Sequence, residues 1–113
     1  MDGILQDKTN ELVEELINSD VYRRYQELLN MLKQNEAMYN RVNEYRIDNK
    51  ELMTMSADEW ISYGENMILR YQDVFRDDTA RELLAVEDDL CRLLWELKEH
   101  IYRSIDMDLD FLD

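Results

Sequence analysis

At 113 residues the chain is long enough for one domain and too short for two. It carries 27 acidic and 13 basic residues, a formal net charge of -14, with no proline and glycine only at positions 3 and 64. Sandwiches, barrels and doubly wound sheets need many turn residues, so this composition excludes them and leaves an all-α chain with short connections.

The first segment sets Leu5, Leu12 and Leu16, with Val13 and Ile17, near one face at helical spacing. Asn18-Ser19-Asp20 breaks it, because all three side chains compete for backbone hydrogen bonds and favour caps. A second helix follows, with Tyr22, Tyr25, Leu28, Leu29 and Leu32 spaced by three and four. Asn35 is the next cap, and the third helix carries Met38, Val42, Tyr45 and Leu52 on one stripe. Asn49 falls on that stripe too, either buried as a register-fixing polar group or at its rim.

Ser56-Ala57-Asp58-Glu59 matches a capping box and opens a fourth helix. Its buried side is expected to hold Trp60, Gly64, Met67, Tyr71 and Val74 or Phe75. Gly64 on that side marks either a close helix approach or simple tolerance. Asp77-Asp78-Thr79 starts the last helix, and Thr79-Ala80-Arg81-Glu82 repeats the capping-box pattern. That helix should run from about 79 to 104, roughly 40 Å at 1.5 Å per residue. Leu83, Leu90, Leu94, Leu97 and Ile101 give it a seven-residue rhythm, widened by Val86, Leu93 and Ile105. An apolar face of that length needs another long helix, from this chain or from a second copy.

The expected architecture is therefore short N-terminal helices plus long antiparallel helices in a bundle or hairpin, completed by dimerisation. One domain spans 1–105, and 106–113 form an acidic-hydrophobic tail that alternates aspartate with Met107, Leu109, Phe111 and Leu112. The tail reads either as an extended docking peptide or as a frayed end.

Cys91 is the single cysteine, which excludes an intramolecular disulfide and a multi-cysteine zinc site and agrees with a cytoplasmic location. No apolar run approaches a membrane span, and the N-terminus lacks a basic region ahead of an apolar stretch. The charge is uneven: residues 56–113 hold 16 acidic and 6 basic side chains, against 7 and 4 in residues 1–34. Direct nucleic-acid binding is not expected of such a surface, whereas a basic protein would meet the C-terminal half.

His100, the lone histidine, lies nine residues from Cys91 on a different helix face, so no metal-ligand pair forms. Asp106, Asp108 and Asp110 imitate the opening of a calcium loop but lack its glycine and its closing glutamate. No nucleophile–base pair can be named, so the chain is read as no enzyme and no catalytic residue is assigned. Glu87 sits among Leu83, Leu84, Val86, Leu90 and Cys91, where a carboxylate needs an Arg, Tyr or amide partner. It joins Leu90, Leu94, Leu97 and Ile101 in a packing or self-association seam. Tyr22-Arg23-Arg24-Tyr25 is the compact basic–aromatic cluster, a candidate partner contact. The alternatives are an RNA contact, or tyrosines facing the core with arginines in surface pairs.

Asn18-Ser19-Asp20-Val21-Tyr22-Arg23-Arg24-Tyr25, then two long helices, an acidic break and Leu83-Leu84-Ala85-Val86-Glu87-Asp88-Asp89-Leu90 together form an order of elements. Over about residues 4–105 that order resembles the YlbF/YmcA family of small bacterial regulators. In that family a Ser-x-x-Tyr-x-x-Tyr-like segment begins the second helix, and an Asn-Pro break precedes a helix with an Ala-Glu step. Here Asp77-Asp78 stands in place of Asn-Pro, and Val86 falls between Ala85 and Glu87.

The resemblance implies an all-helical, cytoplasmic, oligomeric protein acting as a non-enzymatic subunit of a regulatory complex. Such complexes influence competence, sporulation and biofilm formation by assisting an endoribonuclease in messenger RNA maturation. The implied partners are a second copy or related helical subunits, and the endoribonuclease. Some of these complexes are linked to iron–sulfur clusters, which need several thiolates; with Cys91 alone, no cofactor is carried over. The rival reading is an acidic nucleic-acid mimic that occupies the basic groove of a DNA- or RNA-binding protein.

Overall fold

The computed structural model of the protein describes residues 1–108 and 110–112. Six α-helices follow one another among these residues: α1 (Gly3–Ile17), α2 (Asp20–Lys33), α3 (Glu36–Leu52), α4 (Ala57–Arg70), α5 (Gln72–Arg76) and α6 (Asp78–Ser104). No strand occurs among the described residues. The all-α architecture with a long last helix is the expected one.

Side-chain caps set the helix starts. Asp2 accepts from the Leu5 amide at 2.9 Å, Ser19 from Tyr22 at 3.4 Å, and Asn35 from Met38 at 3.2 Å. Ser56 accepts from Glu59 at 3.4 Å and Asp77 from Ala80 at 2.8 Å. Each bond satisfies an amide that the first helical turn leaves without a partner. The last helix therefore starts at Asp78, within a residue of the expected start, with Asp77 rather than Thr79 as its cap. Asp77 outcompetes Thr79 because its carboxylate is the stronger acceptor for a helix N-terminus. Glu82 does not close a box on Thr79; it pairs with Arg24 of α2.

The helices bury one cluster built from Leu28 and Leu32 of α2, Val42 of α3, Met67 of α4, and Tyr71, Val74, Ala80 and Leu83 around α5 and α6. Each fully buried large side chain contributes about 1.5–3 kcal/mol relative to exposure. Tyr45 seals the cluster, meeting Tyr71 and Phe75 edge-on at centroid distances of 5.4 and 5.2 Å. The principal packing is α2 on α6, with α5 also against α6 and α3 touching α2, α4, α5 and α6. α1 packs on α2 and contains no buried residue.

The fourth helix departs from expectation in two ways. It stops at Arg70 and restarts at Gln72, with Tyr71 at φ -112° and ψ 29°. No Gly or Pro marks the break; Arg41 stabilises it by donating from Nη2 to the Arg70 carbonyl at 2.8 Å, an oxygen freed at a helix end. Trp60, expected inside, is 52% exposed, because the first turns of α4 extend past the core. Gly64 shows no close helix approach: a methyl group there would meet nothing within 4 Å. Asn49 is half-exposed at the edge of a groove, so it lies at the rim of its stripe.

The molecule measures 47 × 37 × 19 Å. At 1.5 Å per residue α6 is roughly 40 Å long and α2 roughly 21 Å, so α6 outruns its main packing partner. Within the tail, Asp110–Leu112 form a single 3-10 turn, and Met107, Phe111 and Leu112 are exposed. Leu109 and Asp113, also assigned to the tail, lie outside the described residues.

Candidate interaction surface

The α6 stripe changes character along its length. Leu83 is fully buried at the core. Leu90 and Leu97 are half-buried, and Leu94 and Ile101 are 47% and 49% exposed. The stripe that anchors α6 therefore continues, uncovered, past the packed part of the domain. α2, its main packing partner, is only about half as long as α6 and does not follow the stripe to its end.

Glu87 sits where the stripe leaves the core. Its Oε2 accepts from Nη2 of Arg46 at 2.7 Å and from Nε at 3.1 Å. Nη1 of Arg46 donates to the Asn43 side-chain oxygen at 3.0 Å. The partly buried carboxylate thus has the arginine partner its setting demands, supplied by α3. The pair edges an open groove of about 900 Å³, lined also by Tyr45, Phe75, Leu84 and Ala85. Cys91 is exposed at the same groove.

The Tyr22–Tyr25 segment divides its roles. Arg24 donates to Glu82 through Nε at 3.1 Å and Nη2 at 2.6 Å, and pairs with Glu27 at 3.1 Å. Tyr25 packs partly against the core. Tyr22 is half-buried, its hydroxyl accepting from Gln26 at 3.0 Å, with its ring 6.3 Å from that of Tyr25. Arg23 is exposed. So Arg24 and Tyr25 hold α2 to the rest of the fold, while Arg23 and one edge of Tyr22 face solvent.

Sequence reasoning missed a second ion-paired centre. Arg41 of α3 grips Asp73 of α5 with both ends of its fork, at 2.9 and 3.0 Å, and pairs with Glu44 at 2.6 Å. Its guanidinium also lies over the Tyr71 ring, 4.8 Å from the centroid. The hydrogen bonds from Arg41 hold the Asp73 carboxyl below the usual carboxylate range. Burial, with a hydrogen bond from its hydroxyl to Asp48, pushes Tyr71 up to about 12. The Arg41–Glu44 spacing was visible in the sequence; the partners on α4 and α5 were not.

A second exposed apolar set lies on α4 (Trp60, Ile61, Ile68 and Leu69), and Trp95 and Tyr102 stand out from α6. Among the described residues no group of three or more His, Cys, Asp or Glu is arranged to hold a metal ion. No helix is long and apolar enough to cross a membrane.

Ion pairs that lock helices together, and apolar helix faces left exposed, define a small acidic all-helical protein. Residues 5–106 match the family model described as "Control of competence regulator ComK, YlbF/YmcA". The chain belongs to the YlbF/YmcA family, a family of regulators named for competence control. No curated protein and no solved structure matches it.

Proposed function

We propose that this protein is a non-enzymatic adapter subunit of a regulatory complex that assists an endoribonuclease in messenger RNA maturation, with effects on competence, sporulation and biofilm formation. Family membership supports the competence part of this reading. The observation that carries the adapter role is the uncovered stripe of α6: Leu94 and Ile101 are half-exposed on a well-formed helix, and no helix among the described residues covers them. Ordered apolar surface of this kind is the signature of a protein interface. Leu90, Leu94, Leu97 and Ile101, with Glu87 at the inner end, form the self-association seam. Arg23 and Tyr22, held in place by Arg24 and Tyr25, offer a separate contact for a second subunit. The acidic C-terminal half steers a basic partner towards these faces.

The test is purification of the full chain from the cells it comes from, with and without ribonuclease. Related helical subunits or an endoribonuclease that remain bound after ribonuclease and in high salt support the adapter. Recovery of a nucleic-acid-binding protein alone, released by salt, overturns it in favour of an acidic mimic.

A further inference from the structure

With 27 acids in the chain, nearly every one of its 13 basic residues has an acid three or four positions away. Arg46, Lys50 and Lys98 do not. The neighbours of Lys50 at that spacing are Arg46, Ile47, Met53 and Thr54, and those of Lys98 are Leu94, Trp95, Ile101 and Tyr102. Arg46 is answered by Glu87 from α6. Lys50 and Lys98, both exposed, make no ion pair among the described residues.

Both lysines stand on one continuous surface. Lys50 edges the groove between α3 and α6, whose walls include Tyr45, Met53, Phe75, Leu84 and Cys91. On α6 that side continues as Cys91, Trp95, Lys98 and Tyr102, spaced four, three and four residues and all exposed. The acids that border it are engaged: Asp78 with Arg81, Glu87 with Arg46, Asp88 and Asp89 with Arg92, and Glu99 with Arg103. Glu51 and Glu96 fall on the opposite sides of their helices from Asn49 and Lys98. An apolar strip with two unanswered cations suits an acidic, apolar segment.

Such a segment leaves the far end of the same helix. Beyond Ser104 the chain continues extended at Ile105, with φ -107° and ψ 117°. Asp106, Asp108 and Asp110 then alternate with apolar residues, and Met107, Phe111 and Leu112 are exposed. Cys91 lies roughly 20 Å back along α6 from Ser104, at 1.5 Å per residue. Residues 105–112 span up to about 26 Å fully extended, and about 22 Å with Asp110–Leu112 kept as a 3-10 turn. Folded back, that length sets Asp108 beside Lys98 and brings Phe111 and Leu112 to Cys91, at the mouth of the groove. Long lysine stems reach past the apolar row to the aspartates.

We infer that residues 106–112 are a strap that docks on α6 of their own chain. It lays Met107 and Phe111 on the strip of Trp95 and Tyr102 and closes the mouth of the α3–α6 groove, while Lys98 and Lys50 hold its aspartates. The structure shows the strap open. Any partner of this face must displace it, so the strap sets how readily the face is used. Docking is a property of the isolated chain, and its test stands apart from that of the adapter reading.

Cys91 is the single thiol and is exposed when the strap is open, so it reports the strap's position. In the full-length chain its reaction with N-ethylmaleimide should be about fivefold slower than in a Phe111→Ser, Leu112→Ser double variant, as expected for a strap closed most of the time. Asp108→Lys, which sets a like charge against Lys98, should free the thiol to the same extent. All three substitutions fall on exposed tail positions, and circular dichroism checks that the helices are kept. The slow rate should not change with protein concentration. Equal rates in the wild type and either variant overturn the strap. Protection that grows with protein concentration overturns it too, because the covering tail would then come from another copy.

Discussion

The Arg46 guanidinium on α3 and the Glu87 carboxylate on α6, 41 residues apart in the chain, meet through two hydrogen bonds of 2.7 and 3.1 Å. They join the helix that crosses the core to the helix that leaves it. Both side chains are partly buried, so each needs the other more than an exposed pair would. Arg46→Met and Glu87→Leu should each cost about 1–2 kcal/mol, between the values for exposed and buried pairs. The double variant should cost clearly less than the sum, a coupling of about 1 kcal/mol in urea denaturation. Strict additivity would contradict the structure.

Tyr71 links stability to high pH. Its folded-state pKa is pushed up to about 12 by burial first and by Asp48 second, above the ordinary 10.0. A raised acid stabilises the fold fully below its unfolded value. That contribution is lost as pH rises from about 10 through about 12, because the unfolded chain ionises first. Tyr71→Phe should flatten the fall in stability over this window. Denaturation curves at pH 9, 10 and 11 that keep the same slope in both proteins would refute the assignment.

Two cap candidates stand two residues apart, and only one is used. Asp77→Ala should destabilise the protein by about 1 kcal/mol, the usual value for a lost N-cap. Thr79→Ala should cost markedly less. Thermal melts of the two variants decide the matter, and the reverse ranking would restore the Thr79 box.

Gly64 sits inside α4 with open space where a side chain would begin. Gly64→Ala should stabilise the protein by about 0.5–1 kcal/mol through helix propensity and reduced unfolded-state entropy. The melting temperature should rise by a few degrees. A fall would mean that α4 has a close neighbour in the working assembly.

Much of this fold was readable from local chemistry. Ser19, Asn35 and Ser56 mark helix starts where they were expected, because a cap needs only the next three residues. The break at Tyr71 was not readable, since it depends on Arg41 reaching the Arg70 carbonyl from 29 residues away. Trp60 shows a related limit: periodicity tells which face of a helix is apolar, but not whether anything covers it. Glu87 falls between these cases. Its apolar neighbours announced the need for a partner, and only the fold could select Arg46. The same holds for Tyr22-Arg23-Arg24-Tyr25, whose composition fits both a core edge and an interface; the structure assigns Arg24 and Tyr25 to holding the fold and leaves Arg23 outside.

The adapter account is tested most directly by mapping transcript 5′ ends in cells that lack this protein. Comparison strains carry the wild-type chain or Leu94→Asp, which places a charge in the middle of the open stripe. The account predicts that endoribonuclease-dependent processed ends disappear in the deletion, return with wild type and fail to return with Leu94→Asp expressed at equal level. Processed ends that persist unchanged without the protein would contradict it.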